Sequence, residues 1–554
     1  MTTVAELLLA RAEDDATGLR YGDGWWTWRQ VVEESVRRAS WLEGQRRSGP
    51  FHVGVLLENE PEYLFLLGGA ALAGATVVGI NPTRRGTELA GDIHHTDCQL
   101  LVTDTGQLPL IEGLDTGVAV DRIFVVDDPA RAPVLPAAGA PPAAGELPGA
   151  DSLFLLLFTS GSTGAPKAVR VSQGRLADAG LTMATGSGFG AGDVLYCAMP
   201  MFHGNALNTC IMPAMAAGAC LVLRRRFSAS GFLPDVRYYG VTYFNYVGRA
   251  LAYILATPPA ADDAENTLRF GFGTDASPSD ISSFKKRFRC PIIEGYGSSE
   301  GAIAMSRVPG TPRQAVGLPL PGTDVAIVDP VTGTECPPAR IDDAGLLLNA
   351  AEAIGEIVSR NGASRFEGYY ANEEANAERT RDGWYWSGDL GYRDEAGFFY
   401  FAGRPADWLR VDGENFAAAP VERILARYDG VVTACVYPVP DPRTGDQVMA
   451  TLELVPGTVF DPLLFTAFLA DQQDLGSKWA PRFVRITRNV PLTGTNKIDK
   501  RPLRSERWVT DDPVWWRPFG GRHADGAYRV LGSDDVESIH GEFETHGRTA
   551  LLGF

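Results

Sequence analysis

The stretch Leu156–Val169, LLFTSGSTGAPKAV, runs from apolar residues into hydroxyls, glycines and one lysine. Thr159, Ser160, Ser162 and Thr163 supply the hydroxyls, Gly161 and Gly164 the pivots, and Lys167 a positive charge. Glycines let backbone N–H groups turn inward, and hydroxyls add donors, so this mixture suits a phosphate anion. Two familiar phosphate loops do not fit. A Walker loop needs Gly-Lys-Ser/Thr in succession, whereas Gly164 is followed by Ala165, Pro166 and Lys167. A dinucleotide fingerprint needs GxGxxG, and this stretch has GxxG alone. The plain alternative is a turn between a strand and a helix; the hydroxyl density beside the lysine favours phosphate.

Further segments extend the pattern in order: MPMFHGNAL at 199–207, EGYGSSEG at 294–301, GEIVSRNG at 355–362, WSGDLGYRDEAGFFYFAGR at 386–404, DWLRVDGENFAAAPVE at 407–422 and PLTGTNKIDK at 491–500. With FTSGSTGAPKAV, this series resembles the adenylate-forming (AMP-binding) enzyme superfamily. Segment 227–248 and DGENFAAAPVE look most like its fatty-acid transport protein/very-long-chain acyl-CoA synthetase branch.

The resemblance implies ATP-dependent activation of a carboxylic acid. A carboxylate repels nucleophiles; joined to the α-phosphate of ATP it becomes an acyl-adenylate that a thiol can attack. By resemblance, Thr159, Ser160, Gly161, Ser162, Thr163, Gly164 and Lys167 hold the β- and γ-phosphates, and Thr163 also assists pyrophosphate departure. Glu300 positions Mg²⁺, for which an oxygen ligand is suited. Tyr296 and Gly297 border adenine, and Ser299 donates to the α-phosphate where the family more often has Thr. Asp389 binds the ribose, with Arg404 beside the same sugar or phosphate. Lys497 bridges the α-phosphate and carboxylate, with Lys500 as the neighbour most easily confused with it. Asn496 stands where the family has glycine before this lysine. His203 occupies the place where amino-acid-activating members carry an aspartate, so an uncharged acid or the incoming nucleophile suits it better than an ammonium. Gly413 leaves room for CoA. Phe202, Tyr246, Val247, Gly248 and Phe272 are expected around an apolar or aromatic acid. Beyond Gly403 and Arg404, Pro405 and Ala406 occupy the hinge, where Pro405 restricts the twist.

The chain that must position these residues has 554 of them, too many for one core. Hydrophobic residues at 45% and charged residues at 21% give an ordinary globular balance. A net charge of −18 argues against nucleic acid and anionic membrane surfaces as partners. The N-terminus reads as an amphipathic helix with Thr3 as N-cap and Glu6 closing a capping box, not as a signal peptide. The apolar run Leu64–Ile80 is shorter than the roughly 20 residues that span a bilayer and reads as a core helix followed by a strand. Seven scattered cysteines without a CxxC pair suggest neither zinc nor disulfides, and a reducing, cytoplasmic setting is expected.

Strand-like runs HVGVLL, ATVVGI, LLVTD, IFVVDD, ACLVL, VTYFNYV and LRFGF alternate with helical segments. The expected fold is α/β: a large N-terminal domain of layered α/β sheets, residues 1–404, and a small mobile α+β domain, residues 405–554, ending in an acidic tail. Residues 129–150, rich in Pro, Ala and Gly, read as an exposed loop. The expected activity is an acyl-CoA synthetase using ATP, Mg²⁺ and CoA on a fatty or aryl-substituted acid. The same motifs admit a non-CoA acceptor, such as an ATP-dependent diazotase acting on nitrite and an arylamine, or a non-catalytic nucleotide-binding relative. The oligomeric state is open, with a homodimer as one option.

Overall fold

A computed structural model describes the chain apart from residues 138, 160–166, 249, 275, 277, 343–346, 404–407, 412–413, 444, 473, 477, 495–496, 519–527 and 554. Thr3 begins the first helix as expected. Its hydroxyl accepts from the Glu6 N–H at 3.1 Å while the Glu6 carboxylate accepts from the Thr3 N–H at 2.9 Å. The apolar run becomes helix Pro61–Ala73 and strand Thr76–Gly79. This helix packs so closely on helix Trp28–Gln45 that a Cβ at Gly69 would lie 2.9 Å from the Ala39 nitrogen.

Three sheets precede residue 404. The first has six strands in the order Ile123–Val125, Cys98–Thr103, His52–Leu56, Thr76–Gly79, Leu153–Thr159 and Lys167–Ser172, parallel except for the last pair. The second has nine strands. Its parallel centre includes Ile292–Gly297, Phe270–Thr274, Tyr243–Val247, Val194–Cys197 and Cys220–Leu223. Buried on both faces, parallel strands need nearly continuous apolar residues, which explains runs such as CLVL and YFNYV. The main core lies between these sheets, where Leu155, Leu157, Met199, Leu207 and Met212 gather with the buried faces of the early helices. The third sheet is antiparallel and holds Val325–Val328, Gly355–Ser359, Trp384–Arg393 and Phe399–Gly403.

Beyond residue 407, Trp408–Val411 pairs with Glu414–Ala417, and a five-stranded sheet begins with Val431–Pro440 and Asp446–Leu454. Helix Ala418–Leu425 buries Val421, Ile424 and Leu425, while Tyr428 lies beyond its last turn. The tail is more than an acidic appendage. Val514–Trp516 and Arg529–Val530 extend the sheet, and helix Ser533–Thr545 buries Ile539 and Phe543 against Trp508 and Trp516. All seven cysteines are free thiols. Among the described residues no helix is long and apolar enough to cross a membrane.

Candidate active site

Strands Leu153–Thr159 and Lys167–Ser172 pair antiparallel with Thr159 opposite Lys167. The hydroxyl-rich loop therefore joins two strands rather than a strand to a helix. Ser160, Gly161, Ser162, Thr163 and Gly164 lie outside the described residues. Lys167 is only 7% exposed. Its ammonium lies 3.3 Å from the Glu378 carboxylate and 5.9 Å from the centre of the Tyr369 ring. One neighbour attracts the ammonium by its opposite charge and the other by its π face.

Glu300 is also 7% exposed, and burying a carboxylate requires donors. Tyr369 donates its hydroxyl to Glu300 Oε1 at 2.8 Å, and Arg379 Nε donates to that hydroxyl at 3.3 Å. Burial, followed by the Glu300 charge, pushes the Tyr369 pKa up, so the phenol keeps its proton and remains a donor. Arg175 lies beneath the same turn. Its Nη2 donates to the Ser299 carbonyl and occupies the space that a Cβ at residue 301 would need. Gly301 has φ +70°, a second reason for glycine there. Burial lowers the Arg175 pKa, opposed by the charges of Glu367 and Glu300.

Tyr296, on strand Ile292–Gly297, donates its hydroxyl to Asp389 Oδ2 at 2.7 Å. Asp389 belongs to strand Trp384–Arg393, where its N–H donates to the Ser387 hydroxyl at 3.0 Å. The preceding Gly388 has φ +73°, and its N–H donates to the Glu356 carboxylate at 2.7 Å. Two sheets thus bring Tyr296 and Asp389 together. Gly297 is exposed at the strand end. Arg404 and Gly413 lie outside the described residues, as do the hinge residues Pro405 and Ala406.

His203 caps the short helix Gly204–Ala206, which continues into a wide turn at Leu207–Ile211. A Cβ at Gly204 would lie 3.8 Å from the Ser299 hydroxyl, so the MFHG and SSEG segments adjoin. The His203 pKa is lowered to about 4, by burial first and then by the Lys497 charge, with Glu300 opposing. Its imidazole is therefore neutral near pH 7.

Phe202, Val247 and Phe272 pack into the main core on the His203 side. Tyr246 does not join them. Strand alternation turns it to the opposite face, into the cluster with Phe244 and Phe284, where its hydroxyl donates to Glu294 at 3.2 Å. The neighbouring Asn245 turns inward, and its amide nitrogen donates to Asn205 Oδ1 at 2.7 Å. Asn245 is 3% exposed and its own Oδ1 has no partner.

Lys497 is exposed on the small domain, and the effect of its charge on His203 places it on the same side of the molecule as the site. Lys500 is tied elsewhere: its ammonium lies 2.8 Å from the Glu422 carboxylate and donates to the Val436 carbonyl at 3.0 Å. Tyr369, Arg379, Arg175, Glu378 and the Asn205–Asn245 pair are site neighbours not singled out in the sequence. Tyr369, Arg379, Arg175 and Glu378 reach the site through tertiary contact and lie outside the quoted motifs, whereas Asn205 and Asn245 lie within MPMFHGNAL and segment 227–248.

Comparisons with known proteins show the family of the chain. A family profile described as "AMP-binding enzyme" matches residues 9–370, and "AMP-binding enzyme C-terminal domain" matches residues 420–497. Steroid-22-oyl-CoA synthetase of Rhodococcus jostii (strain RHA1) is 55% identical over 554 residues, covering 100% of this chain and 99% of the relative. Medium/long-chain-fatty-acid–CoA ligase FadD17 of Mycobacterium tuberculosis (strain ATCC 25618 / H37Rv) is 45% identical over 514 residues, covering 93% and 98% of the two chains. A benzoate CoA ligase from Burkholderia xenovorans LB400 shares the fold with a TM-score of 0.78 at 20% identity, covering 91% of this chain and 100% of that one. Matches across both parts of the chain lead to one conclusion: it belongs to the AMP-binding enzyme family.

Proposed function

We propose that this chain is an AMP-forming acid–thiol ligase whose acid is carried on a large apolar body, a steroid side-chain acid or a medium-to-long fatty acid. The acid attacks the α-phosphate of ATP, giving acyl-adenylate and pyrophosphate. The CoA thiol then attacks the acyl carbon and AMP leaves. The observation that carries this reading is the full-length 55% identity to a steroid-22-oyl-CoA synthetase. Both named relatives are CoA ligases, which favours CoA over the nitrite and arylamine alternative.

Each residue has a part in this reading. Lys167 and the loop before it screen the β- and γ-phosphates. Glu300 presents a carboxylate to Mg²⁺, with Tyr369 and Arg379 holding its second side. A hard cation such as Mg²⁺ would take an oxygen ligand from Glu300, and the ATP phosphates and water would supply others. Ser299 addresses the α-phosphate, and Asp389, oriented by Tyr296, the ribose. Arg404 neighbours the sugar and Gly413 the pantetheine. Neutral His203 hydrogen-bonds the acid without adding charge, while Lys497 offsets the repulsion between carboxylate and phosphate. The large domain spans residues 1–404 and the small one 405–554; their separate sheets support that division.

A pyrophosphate-release screen with CoA tests the substrate class. A steroid side-chain acid and palmitate should each exceed benzoate and acetate by about tenfold or more in kcat/KM, since each buried methylene adds roughly 0.8 kcal/mol. Equal rates with acetate would overturn the large apolar acid.

A further inference from the structure

The segment carrying Lys497 is closed on itself. The Thr493 N–H donates to the Lys497 carbonyl at 2.7 Å, the Lys497 N–H donates to the Thr493 hydroxyl at 3.2 Å, and Leu492 and Ile498 form an antiparallel bridge at the base. Fixing one point of this hairpin therefore fixes Lys497. Gly494 is such a point, because it abuts the large domain. A Cβ there would lie 2.5 Å from Asn81 Oδ1, 2.7 Å from Thr83 Oγ1 and 2.9 Å from Asn81 Nδ2. Real Cβ atoms essentially never come this close, so a side chain at 494 must displace the Asn81 and Thr83 side chains or part the two surfaces.

The opposing atoms are held in place. Asn81 Oδ1 accepts from both the N–H and the hydroxyl of Thr83, at 2.9 Å each, an Asx turn that fixes the side chain. The next residue, Arg84, lies 3.0 Å from the fully buried carboxylate of Asp92. The turn follows strand Thr76–Gly79, where a Cβ at Gly79 would lie 3.0 Å from the Phe202 Cα, one residue before His203. The seat is thus part of the same framework that holds His203. Glu88 also attracts Arg501 across this seam.

We propose that the Asn81–Thr83 turn is the seat on which the small domain rests during adenylation, and that Gly494 is the positioning residue that lets the Lys497 hairpin come close enough to serve the site. This rests on the two-step ligase reading. A side chain at 494 holds Lys497 back from the carboxylate and α-phosphate. It leaves untouched the later attack of CoA, which does not use Lys497.

The test compares half-reactions in the full-length enzyme. Gly494→Val should lower acid-dependent ATP–pyrophosphate exchange by about 100-fold, the usual cost of a 1 Å misplacement. Thioester formation from preformed acyl-adenylate and CoA should stay within about threefold of wild type. Gly494→Ala should lose less, and adding Asn81→Gly, which removes two of the three opposing atoms, should recover most of that loss. A second readout needs no acid: NMR titration of His203, whose pKa is lowered to about 4 partly by the Lys497 charge. It should rise in Gly494→Val as it does in Lys497→Ala. Loss of both half-reactions together, loss of neither, or a His203 titration unmoved by Gly494→Val would overturn the seat. Absence of exchange in the wild type with every acid would instead overturn the ligase reading, while the His203 titration still decides the seat.

Discussion

Asp389 is held by a neighbouring side chain and by the backbone before it. Its Oδ2 accepts from Tyr296 at 2.7 Å, and the glycine before it leads into the turn through a positive φ. Asp389→Ala should weaken ATP binding by roughly 10- to 100-fold, the loss expected when charge-assisted hydrogen bonds worth about 1.5–3 kcal/mol disappear. Tyr296→Phe should lose less, because the carboxylate remains. Calorimetry with ATP and Mg²⁺ checks both, and unchanged affinity in Asp389→Ala would remove the ribose role. His203 gives a prediction in pH. An unfolded histidine takes up its proton near 6.5, whereas folded His203 does so only near 4. The folded state is therefore favoured fully above about 6.5, and this contribution is lost as the pH falls toward 4. His203→Gln should flatten the decline in Tm between these limits, measured by calorimetry against pH. Glu300, Asp389, Ser299 and Lys167 could be singled out in the sequence because they sit inside short ordered motifs. Tyr369, Arg379 and Arg175 were not, since each enters the site from a distant part of the chain. Tyr246 was misplaced because strand alternation separates it from Val247, a fact that residue type alone does not reveal.

At the scale of elements, strand Leu153–Thr159 pairs antiparallel with a strand that begins at Lys167. An antiparallel pair fixes Lys167 directly across from Thr159, and Glu378 steadies its ammonium at 3.3 Å. Lys167→Ala should slow adenylation by about 100-fold or more while changing AMP affinity less than threefold, because AMP lacks the β- and γ-phosphates. Stopped-flow pyrophosphate release and AMP titration measure the two effects. An equal collapse of AMP affinity would show that the lysine holds up the nucleoside side or the fold instead. Most strands were legible from β-branched runs, and the first helix from its capping box. The tail was less so. Val514–Trp516 is a short strand flanked by prolines, and its place at the sheet is set by pairing with Phe483–Thr487. Helix Ser533–Thr545 buries only Ile539 and Phe543, too few apolar positions to mark a packed face among its acidic residues.

At the scale of the molecule, Lys497 and Lys500 separate by what holds them. Lys500 is anchored to Glu422 and Val436 inside the small domain, whereas Lys497 lies on the hairpin that meets the Asn81–Thr83 turn. Lys497→Ala should lose most adenylation, about 100-fold or more, yet convert preformed acyl-adenylate and CoA to thioester near the wild-type rate. Lys500→Ala should lower Tm and change adenylation little, as measured by thermal melts and pyrophosphate release. One chain should make an adenylate and then hand the acyl group to CoA. The most direct measurement is a single-turnover experiment with α-labelled ATP and acid, first without CoA and then with it. The account predicts that label accumulates as enzyme-bound acyl-adenylate, then leaves as AMP when CoA arrives, with one acyl-CoA formed per AMP. Label appearing as ADP, or an adenylate that CoA does not consume, would contradict it.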